Sequence, residues 1–249
     1  MMGWWLALIN EIHNENCLET MRRMPSNYID LTVTSPPYDD LREYDGYSFE
    51  FDSIVQELFR ITKETGTVVW VVGDQTRNGS ESGTSFKQAL RFMESGFKLH
   101  DTMIYKKNSS TYSARPNSSR YTQIFEYMFI FTKDKPTANL ICDKRNKWAG
   151  HRDWSGKMKN PVREYGARSN IWEYVTSFNG VEHPAPFPEK LAEDHILTWS
   201  NPGDLIYDPF MGSGTTAKMA ALNGRDYIGS EISERYCDIA RNRVPQVLL

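Results

Sequence analysis

Residues 205–233, LIYDPFMGSGTTAKMAALNGRDYIGSEIS, leave this chain little choice of fold. An apolar run ends at Asp208-Pro209, a glycine-rich turn follows, a helix-forming stretch stops at Asn223-Gly224, and a second apolar run ends at Glu231. Two strands joined through a helix in so few residues must run parallel, because only a crossover returns the chain to the same end of a sheet. The turn carries Gly212, Gly214 and Ala217 in the spacing G-x-G-x-x-A, with Ser213 and Thr215 between and after them, and Glu231 lies 17 residues past Gly214. That arrangement holds a ligand over a helix N-terminus and offers a carboxylate to ribose hydroxyls, which points to an adenosine-containing cofactor. Asp208, at the strand end beside that helix, can hold an ammonium group. No lysine precedes the threonines, so the loop is not an ATP-type phosphate loop. The spacing alone does not separate nicotinamide cofactors from S-adenosylmethionine, and a turn that merely joins strand to helix looks the same.

The same alternation runs through the rest of the chain. YIDLTVT reads as a strand, DSIVQELFRITKETG as a helix with Gly66 as its stop, and TVVWVV as a strand covered on both faces. SFKQALRFMESG reads as a helix with Phe86, Ala89, Leu90 and Met93 on its apolar side. HDTMIYKK and IFEYMFIFTK read as strands, and PEKLAEDHILTW as a helix with Leu191, Ala192, His195, Ile196 and Trp199 inward. The fold class is therefore α/β, a doubly wound, mostly parallel sheet with helices on both faces. At 249 residues a single domain, 1–249, is expected. Periodicity is lost over 134–180, where Trp148, Trp154 and Trp172 stand among basic and small polar residues; this reads as an insertion rather than a layer of the sheet. Cys17, Cys142 and Cys237 form no metal-type pair and suit a reducing cytosol, so no metal is expected. WWLALI is too short for a signal core and no stretch is long enough to span a membrane; the expected location is cytoplasmic.

The net charge of −3 hides an asymmetry. Residues 106–120 hold Lys106, Lys107, Arg115 and Arg120 with no acid, and residues 141–170 hold eight cations, Lys144, Arg145, Lys147 and Arg152 among them, against Asp143, Asp153 and Glu164. A basic middle in an acidic frame is how a phosphate-facing groove shows itself, although a solvated loop face has the same composition.

The remaining feature is TSPPY, at the end of the YIDLTVT strand. Pro36 and Pro37 lack N–H groups and cannot continue a ladder. Ser35, Pro36, Pro37 and Tyr38 together with DPFMGSGTT resemble the amino-group DNA methyltransferases over most of the chain, and the order of catalytic motif, basic insertion and cofactor motif looks like the permuted β class. VEHPAPFPEKL, with Phe187 and Pro188, is similar to a further cofactor-site motif, and FEYMFIFTK to the strand before the recognition region. The resemblance implies S-adenosyl-L-methionine held by Asn16, Cys17, Phe187, Pro188, Asp208, Pro209, Phe210, Gly212, Ser213, Gly214, Thr215 and Glu231. Asn16 departs from the aspartate many relatives have beside the adenine. It implies DNA binding through the basic residues, a base flipped out of the duplex onto Tyr38, and an exocyclic amine that donates hydrogen bonds to the Ser35 side chain and the Pro36 carbonyl. Ser before the prolines favours cytosine N4 over adenine N6, the alternative. Cytosine C5 chemistry needs a thiolate, and no cysteine here follows a proline. More distant readings are an RNA or protein amide methyltransferase, a nicotinamide dehydrogenase and a noncatalytic DNA-binding module. The resemblance admits a homodimer and a cognate restriction endonuclease as partners, which no stretch of sequence marks.

Overall fold

The computed structural model describes residues 8–37, 49–108, 119–151, 160–175 and 188–244. Tyr38, Arg115, Arg152, Trp154 and Phe187 lie outside them. Among the described residues the strands are β1 Glu11–Asn14, β2 Ile29–Thr34, β3 Thr62–Val72, β4 Thr76–Arg77, β5 Ser80–Glu81, β6 Lys98–Asn108, β7 Phe125–Thr132, β8 Lys144–Arg145, β9 Tyr165–Gly166, β10 Ile171–Val175, β11 Leu205–Asp208 and β12 Asp226–Glu231. The helices are α1 Cys17–Arg23, α2 Phe51–Ile61, α3 Thr84–Glu94, α4 Glu189–Trp199, α5 Thr215–Leu222 and α6 Glu234–Arg243.

Eight of these strands form one sheet in the order β1-β12-β11-β2-β3-β7-β6-β10. Among these described strands β7 alone runs against its neighbours; every other pairing in the sheet is parallel. Side-chain alternation along β3 sorts its residues to two faces. Val68, Trp70 and Val72 join Leu18 and Met21 of α1, Leu58 of α2 and Phe92 of α3. Val69 and Val71 face Leu191 and Ile196 of α4 and Ala220 of α5. Helix α6 packs on that second side through Cys237 and Ala240. Helices thus cover both faces, as the alternation of patterns requires.

Three local expectations fail. Helix α2 stops at Ile61 instead of running to Gly66, and TKETG opens β3. Gly66 serves the sheet: a Cβ there would lie 2.9 Å from the Ile29 carbonyl oxygen, beside the irregular step between Ile29 and Leu31. Helix α3 is turned so that Ser85, Gln88, Ala89 and Phe92 are buried while Phe86, Leu90 and Met93 are exposed. The inward choice is made by Phe92, stacked on Phe131 at 4.3 Å, and by Gln88, whose side-chain oxygen takes the Trp70 indole N–H at 2.8 Å. Finally, β10 lies within the span read as an insertion yet is the edge strand of the main sheet, pairing with β6 and burying Trp172 and Tyr174. His195 is packed as expected. Trp199 donates to its Nδ1 at 3.2 Å, which puts the ring proton on Nε2 over the Met128 sulfur, and burial lowers its pKa to about 3, opposed by the Asp194 charge.

Candidate active site

Strands β11 and β2 are neighbours, with Ile206 opposite Leu31 and Tyr207 opposite Thr32. After β11 the chain enters α5 on one face; after β2 it enters α2 on the other. The carboxyl ends of these two strands therefore flank the point where the winding direction reverses, where open α/β sheets form a ligand crevice. TSPPY and DPFMGSGTT, 174 residues apart, meet at this point through a 2.6 Å hydrogen bond from Thr34 Oγ1 to Asp208 Oδ1.

The glycine loop is built almost entirely from backbone. Gly212 and Gly214 both have positive φ, 51° and 83°, and Gly214 caps α5. The space beside Gly214 is filled by α6: a Cβ would sit 2.8 Å from Ala240 Cα. Turn geometry and helix docking therefore both require glycine here. Glu231 ends β12 with each carboxylate oxygen anchored, one by the Gly212 N–H at 2.8 Å and the other by the Ser233 N–H at 2.9 Å. Burial raises its pKa against those two donors. Each oxygen keeps lone-pair capacity for a diol. Arg243 of α6 donates to the Ser213 carbonyl at 2.6 Å and hydroxyl at 2.7 Å and to Glu189 at 2.8 Å, pinning the loop from behind. Pro209 and Phe210 follow Asp208, and the Phe210 ring packs 5.6 Å from Phe49 and 6.0 Å from Trp70.

Asp208 is fully buried and points at its neighbours. Its Oδ1 takes Thr34 Oγ1 and, at 3.0 Å, the Phe210 N–H. Burial pushes its pKa up to about 6, with the Thr34 hydroxyl and Phe210 N–H working in the other direction. Asn16 caps α1 by accepting the Leu18 N–H at 2.9 Å, and Cys17 behind it is buried, its thiol pushed up to about 12. Both lie beside the Glu231 end of β12, because Asn14 of β1 donates to the Glu231 and Ile232 carbonyls at 3.0 Å. Pro188 precedes α4. Ser35 and Pro37 are partly exposed and Pro36 is buried at the head of β2.

The basic residues divide. Lys106 pairs with Glu173 at 2.8 Å, Lys107 with Glu126 at 2.5 Å, and Arg120 lies 3.8 Å from Glu81 and donates to the Gly79 carbonyl. The run 106–120 looked acid-free in sequence, but neighbouring strands bring carboxylates to all three. Arg168 is spent on Asp143 and the buried Asp194, both at 2.6 Å. Lys144, Arg145 and Lys147 stay exposed on the small hairpin of β8 and β9, with Arg145 3.8 Å from Glu164. Beside them Trp148 is 68% exposed and Tyr165 47%, next to a cavity of about 470 Å³ lined by Asn146, Asn160, Arg163 and Tyr165. Among the described residues no His, Cys, Asp or Glu cluster fits a metal ion, and no helix is long and apolar enough to cross a membrane.

Sequence reasoning passed over Asn14, Thr34, Thr216 and Arg243. Thr34 and Thr216 sit inside the quoted motifs; their polarity at otherwise apolar or helical positions was the signal. Arg243 had none, since its contact spans 30 residues.

The N6/N4 DNA methylase family model matches residues 29–242. The chain is 57% identical to the orphan methyltransferase M.BamHII of Bacillus amyloliquefaciens over 89% of its own length and 90% of that protein. It is 26% identical to the DNA adenine methyltransferase YhdJ of Escherichia coli K12, over 94% and 81%. Among solved structures, the cytosine-N4-specific PvuII DNA methyltransferase superposes with TM-score 0.74 at 21% identity, covering 96% of this chain and 87% of that one. TTHA0409 of Thermus thermophilus, complexed with S-adenosyl-L-methionine, superposes at 0.67 and 26%, covering 95% of each.

Proposed function

The chain belongs to the N6/N4 DNA methylase family, and from that premise we propose that it methylates the N4 amine of cytosine in DNA at the crevice between β2 and β11. The observation that carries the proposal is the junction of the two motifs at the switch point, with Ser35 one residue past the bond from Thr34 to Asp208. S-adenosyl-L-methionine, when bound, supplies a methyl group on a sulfonium whose sulfur leaves with the bonding pair. The residues present fit it: Glu231, held by two backbone N–H groups, suits the ribose diol, the turn at Gly212–Gly214 opens the helix N-terminus, and the Asn16–Cys17 end of α1 lies beside Glu231.

An exocyclic amine is a poor nucleophile while its lone pair is delocalised into the ring. Ser35 Oγ and the Pro36 carbonyl would accept hydrogen bonds from its two N–H groups and draw the nitrogen towards tetrahedral geometry, freeing the lone pair for the incoming methyl group; the proton that the nitrogen gives up on methylation would pass to water. The target base leaves the duplex and stacks on Tyr38, and Lys144, Arg145 and Lys147 with Trp148 grip the flanking DNA. Serine ahead of the prolines supports cytosine; the family model, which spans both amines, and the likeness to YhdJ keep adenine N6 as the second reading.

Transfer of a labelled methyl group to DNA followed by nucleoside chromatography tests this. Label in N4-methylcytosine is expected, label in N6-methyladenine replaces the substrate atom, and no label in DNA rejects the activity. Ser35→Ala should slow single-turnover transfer while leaving DNA and cofactor affinity nearly unchanged.

A further inference from the structure

The backbone ladder between β2 and β11 stops at Thr32 and Tyr207, before the chain reaches Ser35. Two buried side-chain hydrogen bonds continue it. Thr216 Oγ1, on the first turn of α5, donates to the Val33 carbonyl at 3.1 Å, and Thr34 Oγ1 donates to Asp208 Oδ1 at 2.6 Å. The same Asp208 oxygen takes the Phe210 N–H at 3.0 Å. One carboxylate oxygen thus fixes both the residue before Ser35 and the entry of the glycine loop. Pro36 and Pro37 have no N–H to donate, so the acceptor turn cannot be held by further ladder bonds from those residues.

The geometry assigns Thr34, Asp208 and Thr216 as positioning residues, a clamp that sets the amine-accepting turn of Ser35 and Pro36 against the cofactor loop. The assignment rests on the reading that this turn accepts the amine. Attack of nitrogen on a methyl carbon along the line of the departing sulfur tolerates little displacement, so a loosened clamp acts on the chemical step and not on binding. All three residues are buried, and the hydroxyl of Thr34 is directed at Asp208. The carboxylate also gains from the clamp: a buried charge without its donors would be costly, and the bonds from the Thr34 hydroxyl and the Phe210 N–H offset part of that cost.

Single-turnover methyl transfer at saturating DNA and cofactor, with calorimetric cofactor affinity, tests the clamp in Thr34→Val, Thr34→Ser and Thr216→Val. Thr34→Val keeps the shape and removes the donor; its rate should fall about tenfold to hundredfold at nearly unchanged cofactor affinity. Thr34→Ser should recover most of the rate. A wild-type rate in Thr34→Val, or equal losses in the Val and Ser variants, overturns the assignment. Should Thr34→Val fail to fold, Thr216→Val carries the same readings: a lowered rate at unchanged cofactor affinity supports the clamp, and a wild-type rate overturns it. Ser35→Ala run alongside separates the two claims. A wild-type rate there removes the amine-acceptor reading, whereas a slow Ser35→Ala with a fast Thr34→Val removes the clamp alone.

Discussion

The glycine-loop end and the β8–β9 hairpin are built on opposite principles. The first is buried and is held by main-chain groups: Gly212, Ser213 and Ser233 are fixed by Glu231 and Arg243, and Gly214 has α6 against its Cα. The second presents Lys144 on a strand two residues long, and Lys147 and Trp148 in the turn that follows it, to solvent. A buried turn held through its main chain tolerates few exchanges, whereas exposed side chains can be exchanged without disturbing the core. The difference teaches where substitutions should destroy the protein and where they should only retune it.

Gly214→Val should have the largest effect, because it forces a β-branched residue into positive φ and against Ala240; stability should fall by roughly 2–5 kcal/mol in denaturant melts. Normal stability with lost cofactor binding would instead mean that this position faces the cofactor. Next comes the acid limb of the stability curve. His195 is held neutral to about pH 3 when folded and takes a proton near pH 6.5 when unfolded. The unfolded chain binds more protons between those values, so stability should drop as pH falls from about 6.5 to about 3, by an amount of order 4 kcal/mol. His195→Gln should lose that part of the slope, and a slope identical to wild type would show that the imidazole does not titrate across unfolding.

On the hairpin side the expected effects move from stability to binding. Neutralising Lys144, Arg145 and Lys147 to Gln should leave the melting curve within about 0.5 kcal/mol and flatten the dependence of log DNA affinity on log salt by about two to three. Unchanged affinity and slope would make the hairpin a solvated loop. The smallest effect belongs to Lys106→Gln with Lys107→Gln. Their charges are already met by Glu173 and Glu126, so the salt slope of DNA binding should stay nearly constant; a drop of about two would mean that DNA displaces those carboxylates.

What the sequence made legible were features coded by adjacent residues. The crossover from β11 through α5 to β12, the proline pair ending β2, and the inward face of α4 with His195 were all readable from runs and turns. What it hid depended on partners far along the chain. Phe86, Leu90 and Met93 form as good a helical stripe as Ala89 and Phe92, and only the Phe131 ring and the Trp70 indole decide which side turns in. The acids that answer Lys106 and Arg120 come from other elements, so a window count of charge cannot see them. IWEYV was too short and too embedded in polar sequence to be read as a strand, yet β6 left an edge for it.

Strands β11 and β12, late in the chain, lie between β1 and β2, which come early. A ribosome delivers β1 and β2 long before anything can fill the gap between them, and contacts of such high sequence separation form slowly because a long loop must close first. The Ser35–Pro36 turn that follows β2 therefore has no counterpart until β11 has been made. Strand β2 meanwhile keeps an open apolar edge of the kind that other chains pair with. Completion of the sheet and completion of the site are one event, an insertion into its middle rather than growth at its margin, so a chain cut short before β11 would be inactive and prone to aggregate at the same place.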